Sequence, residues 1–130
     1  TLFVKRYKNE SGAQLINLSS TAGYNMSPSV LYCASKQFVS VFTEGLALQL
    51  QWDNAALKAK ILAPHTTKTE FARTATDDAE FDYAKHYKKS HTAEEMAGFL
   101  LQLYDSDATV GYVDRDTMEF ELSGPKLNWM

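Results

Sequence analysis

Ala13-Gln14-Leu15-Ile16-Asn17-Leu18, closed by Ser19-Ser20-Thr21, reads as a short buried strand that runs into a turn. Gly12 bounds it on one side, and Gly23, Asn25, Ser27 and Pro28 continue the loop on the other. A helix is expected next. Ser27 can cap it with Pro28 at its first position. From there Leu31, Ala34, Phe38, Val41, Phe42, Leu46 and Leu50 keep helical spacing to about Trp52. Asp53-Asn54 breaks the helix. Residues 57–63 read as a second strand, stopped by Pro64. A strand, a long helix and a strand within about 50 residues form the pattern of a right-handed crossover between parallel strands. The fold class expected is α/β, an open sheet with helices on both faces.

The long helix carries apolar residues on more than one side, which predicts burial on several sides, between a sheet and a partner subunit. Gly45 inside it costs about 1 kcal/mol relative to alanine. Upstream, Leu2, Phe3 and Tyr7 suit the last turns of a helix stopped by Asn9-Glu10-Ser11-Gly12. The chain opens without methionine and mid-pattern, so its natural beginning is expected to be missing; a tagged or processed terminus is the alternative. Downstream, residues 65–91 suit short helices in a mobile flap. Thr92-Ala93-Glu94-Glu95 fits a capping box for a helix with Met96, Phe99, Leu100, Leu103 and Tyr104 at core spacing. Residues 109–113 and 118–122 read as a hairpin around Asp114-Arg115-Asp116.

The 130 residues, 45% of them hydrophobic, suffice for one ordinary core. A net charge of −3 and a pI near 5.5 leave no broad basic surface for nucleic acid. The densest basic stretch, Lys85-His86-Tyr87-Lys88-Lys89, reads as a solvated face. No apolar run approaches the roughly 20 residues of a membrane helix, and no secretory signal is visible. The one cysteine, Cys33, excludes an intrachain disulfide and fits a reducing compartment such as the cytoplasm. It reads as a small packing residue. No metal-ligand cluster stands out.

Tyr32-Cys33-Ala34-Ser35-Lys36 carries the chemistry. Residues at i and i+4 share a helix face, about 6 Å apart along the axis. Lys36 therefore projects beside Tyr32. A cation about 4 Å from a phenol favours the phenolate by roughly 4 kcal/mol at an effective dielectric near 20. A phenol tuned in this way is a general acid or base. A serine hydroxyl facing the same point would hold a substrate oxygen and its developing charge. Such pairs occur by chance in many helices. The context is what singles this one out: a strand ending in Ser-Ser, a glycine loop, then the pair near the start of a long apolar helix.

On these residues the chain resembles the short-chain dehydrogenase/reductase family. The matching stretches are Ile16-Asn17-Leu18-Ser19-Ser20-Thr21-Ala22-Gly23, then Tyr32-Cys33-Ala34-Ser35-Lys36, then Ala63-Pro64 with Thr69 and Phe71. The resemblance is in clear register to about residue 72. It implies the C-terminal, catalytic half of a Rossmann-like, doubly wound parallel sheet, with residues 1–130 forming a single partial domain. It implies an NAD(P)-dependent oxidoreductase that interconverts an alcohol and a carbonyl, with NAD or NADP as cofactor. Tyr32 would be the general acid/base. Lys36 would favour the ionised phenol and bind the nicotinamide ribose. Ser20 would hold the substrate oxygen. Pro64 and Thr69 would lie at the nicotinamide end of the cofactor, and residues 70–91 would be the variable flap over a small-molecule substrate. A homodimer or homotetramer through the helix near 30–52 is implied as well.

The chain departs from the family pattern in three places. His65 stands where most members carry glycine, and reads as a tolerated loop residue. The serine–tyrosine interval is 12 residues from Ser20, against the usual 13, which Ser19 would satisfy; Gly23 at its usual offset favours Ser20. The family's glycine-rich pyrophosphate loop has no counterpart, since Gly12, Gly23 and Gly45 never form Gly-x-Gly-x-x-Gly. The isolated 130 residues are therefore expected not to turn over. Two other readings stay open at this level. One is a non-catalytic assembly or regulatory relative that kept the site residues. The other is a nucleotide-sugar epimerase or dehydratase that uses the same tyrosine–lysine pair.

Overall fold

The computed structural model describes residues 1–80 and 82–128. Its centre is a sheet of four strands: β1 (Gln14–Leu18), β2 (Lys58–Ala63), β3 (Val110–Val113) and β4 (Phe120–Ser123). They lie in the order β1-β2-β3-β4. β1 pairs with β2 in parallel, Gln14 opposite Lys58 and Leu18 opposite Leu62. β2 pairs with β3 in parallel, and β3 with β4 antiparallel. The expected crossover and hairpin are both present. The hairpin's second strand begins two residues later than expected, because Met118 takes a left-handed backbone (φ 65) in the turn.

Helices cover both faces. α1 (Leu2–Tyr7) precedes β1, α2 (Val30–Trp52) joins β1 to β2, and α5 (Ala93–Asp105) joins β2 to β3. β2 alternates cleanly between the two layers. Ile61 and Ala63 pack with Val110, Tyr112, Tyr24 and Val39 on the α2 face. Leu62 packs with Met96, Leu103 and Val113 on the α5 face. A third cluster, Leu50, Leu57 and Ala59 with Val4 and Leu46, closes the end where α1 meets α2. The Lys8 carbonyl accepts from the Ala56 and Leu57 amides there, and Lys8 Nζ reaches Asp53 at 2.7 Å.

Lys60 points into the α5 layer and is 1% exposed. Its ammonium donates to the carbonyls of Leu103 (2.8 Å), Tyr104 (3.2 Å) and Ser106 (2.5 Å). The buried cation thus satisfies orphan carbonyls at the negative end of α5. At the other end of α5 the expected capping box is complete. Thr92 Oγ1 accepts from the Glu95 amide, and Glu95 accepts from the Thr92 amide.

α2 differs from expectation in two ways. It starts at Val30 rather than at Pro28, and its cap position Ser29 makes no side-chain bond. Ser27 is occupied elsewhere: its amide (3.2 Å) and hydroxyl (3.0 Å) both meet the sulfur of buried Cys33. The faces also differ. The buried face carries Cys33, Ser40, Thr43, Glu44 and Leu50. Leu31 (86% exposed), Phe38 (70%), Val41 and Phe42 point outward. The helix runs through Gly45 unbroken.

β1 was expected to be buried, yet its outer edge has no partner strand among the described residues and most of it is half-buried. Residues 65–91 hold α3 (Phe71–Thr76) and α4 (Tyr83–His86), as expected of short helices; Phe81 lies outside the described residues. The ends of this flap meet. The His91 amide donates to the Thr66 carbonyl (3.0 Å), and the Lys68 amide to the His91 carbonyl (2.9 Å).

Candidate active site

The carboxyl ends of the parallel strands β1 and β2 bring the candidate residues to one edge, where ligands bind in open α/β sheets. Ser19 and Ser20 directly follow β1. Their hydrogen bonds differ. Ser19 is 3% exposed, and its hydroxyl bonds the Lys36 carbonyl (3.0 Å) and Ser40 Oγ (2.9 Å). It fastens the strand end to α2. Ser20 is half-buried, and among the described residues its hydroxyl accepts from the Ala22 amide alone, at 3.2 Å, as the cap of a 3-10 turn over Thr21–Gly23. Its own proton has no acceptor in that bond.

Gly23 sets how closely this turn lies on α2. A β-carbon there would overlap the Ser19 and Ser40 hydroxyls and sit 3.0 Å from the Lys36 carbonyl. The turn is also tied to β2's end: the Thr21 amide donates to the Pro64 carbonyl at 2.9 Å.

Tyr32 and Lys36 lie in the first turns of α2. Lys36 Nζ is 5.8 Å from the centre of the Tyr32 ring and donates to the Leu18 carbonyl at 3.3 Å. The lysine therefore joins the tyrosine's surroundings to the strand that leads into Ser20. The Tyr32 ring in turn lies 6.0 Å from the ring of Phe71, at the start of α3. Thr69 is exposed, and its hydroxyl accepts from the Phe71 amide at 3.2 Å. An open depression of about 570 Å³ runs past Thr69 between α3 and α4, lined by Lys68, Glu70 and Arg73 as well. It contains none of Ser20, Tyr32 or Lys36. A shallow, charged hollow of this kind does not displace the strand-end site.

Two residues given no role from the sequence, His65 and Tyr24, are attached to this edge. His65 Nδ1 lies 3.0 Å from Thr21 Oγ1. Burial, with Arg115 and His91 nearby, holds its imidazole below the ordinary histidine range; Asp116 and Asp114 oppose the shift. Tyr24 donates from its hydroxyl to buried Glu44 at 2.5 Å, and Glu44 also accepts from the Leu127 amide. Burial and the Glu44 carboxylate push the Tyr24 phenol well above the ordinary tyrosine range. The only sequence signal for His65 was its place after Pro64. Nothing local marked Tyr24.

A family model described as short chain dehydrogenase matches residues 1–80. This chain belongs to the short-chain dehydrogenase family. An uncharacterized oxidoreductase of Staphylococcus saprophyticus is 33% identical over 92 residues, which is 69% of this chain and 37% of that protein. The solved structure of ElxO with NADP bound matches at 26% identity and a TM-score of 0.64, over 82% of this chain and 45% of that one. A gluconate 5-dehydrogenase from Burkholderia cenocepacia, in complex with NADP and tartrate, matches at 28% identity and 0.50, over 67% of this chain and 36% of that one. A 3-oxoacyl-[acyl-carrier protein] reductase from Brucella melitensis, in complex with NAD, shares the fold at 22% identity and a TM-score of 0.54. The chain thus spans less than half the length of these relatives. It shares their α/β architecture, a mostly parallel sheet with helices on both faces.

The short-chain dehydrogenase residues described here fit one end of a dinucleotide. They offer a half-buried ammonium at Lys36, a phenol at Tyr32 and exposed polar groups about Thr69. They do not fit the pyrophosphate end, since Gly12, Gly98 and Gly124 stand apart in open positions and Gly23 and Gly111 are packed against side chains. Among the described residues no group of acidic, histidine and cysteine side chains could hold a metal, and no helix is long and apolar enough to cross a membrane.

Proposed function

We propose that the protein is an NAD(P)-dependent oxidoreductase that interconverts an alcohol and a carbonyl, with Ser20, Tyr32 and Lys36 as its catalytic residues. The observation that carries this reading is Lys36 Nζ, set between the Tyr32 ring and the carbonyl of Leu18 in the strand that leads into Ser20. In the reductive direction Tyr32 gives its hydroxyl proton to the substrate oxygen as that oxygen gains charge; in the oxidative direction it takes the proton from the alcohol. Ser20 donates its uncommitted hydroxyl proton to the same oxygen. Lys36, whose ammonium lies 5.8 Å from the centre of the Tyr32 ring, would bind the nicotinamide ribose beside it. NAD or NADP, when bound, supplies or accepts the hydride. Pro64 and Thr69 would border its nicotinamide end.

The cofactor's pyrophosphate cradle belongs, in this proposal, to chain outside residues 1–130, which then form one partial domain. Two features support that: the lack of a glycine loop and the share of the relatives' length that the chain spans. The outward apolar stripe of α2 (Leu31, Phe38, Val41, Phe42) supports a homodimer or homotetramer through that helix. The single cysteine, free and buried, supports residence in a reducing compartment such as the cytoplasm.

The test uses the full-length protein and a panel of small carbonyl compounds with NADH and NADPH. Tyr32→Phe is expected to lower kcat by about 10²- to 10⁴-fold, the usual worth of a positioned proton donor, with cofactor affinity kept. Full activity of Tyr32→Phe in the protein's biological role would favour a non-catalytic relative instead. NAD that stays bound and is regenerated in each cycle would favour an epimerase or dehydratase.

A further inference from the structure

The catalytic assignment leaves His65 without a task. It is the first side chain beyond Pro64, at the carboxyl end of β2. Two successive residues there grip one residue of the neighbouring loop. The Pro64 carbonyl accepts from the Thr21 amide at 2.9 Å, and His65 Nδ1 pairs with Thr21 Oγ1 at 3.0 Å. Thr21 is buried and directly follows Ser20. A bond to its side chain therefore constrains the turn whose cap is the Ser20 hydroxyl.

The remaining groups near the ring come from two elements. Arg115, Asp114 and Asp116 belong to the turn between β3 and β4, and His91 stands at the base of the flap. Arg115 is paired with Asp116 at 3.5 Å. Asp114 accepts from the Asp116 and Thr117 amides, so its charge is shared with its own turn. The imidazole is half-buried among them.

We propose that His65 is a positioning residue: bound to Thr21, its neutral imidazole fixes the Ser20 turn against the loop that follows β2. The proposal rests on the assignment of Ser20 to the substrate oxygen. Where Nδ1 accepts the Thr21 hydroxyl proton, protonation turns it into a donor and ends that bond, and it adds positive charge near Arg115 in a half-buried place, so acid loosens the grip. Asparagine at 65 offers a polar atom near the Nδ1 position and cannot titrate. Leucine offers neither property.

The experiment compares full-length wild type, His65→Leu, His65→Asn and Thr21→Val. Thr21→Val removes the same bond from its other end and keeps the Pro64 contact, should His65→Leu fail to fold. Two readouts are taken: hydrogen exchange of peptides covering residues 20–24 between pH 5.5 and 8, and the pH profile of kcat with cofactor affinity. His65→Leu and Thr21→Val are expected to exchange at least tenfold faster at residues 20–24, with peptides from α2 unchanged. Both should lose at least tenfold in kcat with cofactor affinity kept within twofold. His65→Asn should recover most of kcat and lose the wild type's fall in acid. Unchanged exchange in both bond-breaking variants overturns the proposal, as does a His65→Asn protein that keeps the wild-type acid limb. If Tyr32→Phe leaves turnover intact, the catalytic reading has failed, while the exchange data still decide whether His65 holds the turn.

Discussion

At residue scale, Gly23 and Lys60 each answer to a partner far along the chain. Gly23 lets a turn lie directly on α2. Gly23→Ala is expected to cost about 1–3 kcal/mol, as overpacking does, read from urea denaturation; Ser40→Ala in the same chain should return part of it by removing one of the overlapped hydroxyls. Lys60→Met should cost about 1–3 kcal/mol by the same measurement, since the Ser106 carbonyl loses its lysine donor while the Leu103 carbonyl keeps those of Ser106. The two residues were not equally legible in the sequence. Gly23 stood out by its spacing from Ser20, although the reason for it, Ser40, lies in another element. Lys60 read as an ordinary lysine within an apolar run, because its partners lie more than 40 residues away. The preference for Ser20 over Ser19 rested on spacing alone, and the bonds that commit the Ser19 hydroxyl to α2 agree with it.

At element scale, signals written within a few residues survived best. The capping box of α5 was readable from Thr92 and Glu95, because both partners sit inside one turn. Thr92→Ala should lower stability by about 1 kcal/mol, seen as a fall in the urea midpoint with an unchanged slope. Strands β1 and β2 were placed within a residue by their apolar runs and bounding turns. Which side of α2 meets the sheet was not legible from spacing. Hydrophobic spacing points an apolar stripe at the core, yet the core side of α2 holds Ser40, Thr43 and Glu44. These are satisfied there: Thr43 receives from Asn17 at 2.9 Å, Ser40 meets Ser19, and Glu44 receives from Tyr24. Polar side chains can be buried when each finds such a partner, and periodicity does not show partners. Phe38→Glu should therefore change the stability of the fold by no more than about 0.5 kcal/mol, as exposed substitutions do, while dissociating an oligomer built on this helix. Denaturation and sedimentation would measure the two effects separately.

At the scale of the whole molecule, the titrating groups bound the pH range in which the fold is most stable. His65 has its folded value depressed, so its contribution is present above the ordinary imidazole value near 6.5 and is lost as pH falls through the folded value. Tyr24 is raised. Above about pH 10 the unfolded phenol ionises while the native one keeps its proton, so stability falls as alkali rises. Urea midpoints from pH 5 to 11 should trace a dome. Tyr24→Phe should flatten its alkaline side even though its level drops with the lost bond to Glu44. The layered architecture was legible from the order of elements alone. The edge of β1, unpartnered among the described residues, and the closed base of the flap were not, since each depends on which distant strand or loop arrives beside it. That same pairing pattern has a kinetic consequence. Val113 and Phe120 are near neighbours in sequence, whereas Leu18 meets Leu62 and Ile61 meets Val110 only after long excursions of the chain. Closing a short loop takes far less time than aligning remote segments. The β3–β4 hairpin is expected to form early in folding. The β1–β2 seam, which carries Ser20 and Pro64 at its end, is expected to form late, so the strand-end edge would be the last part of this fold to assemble.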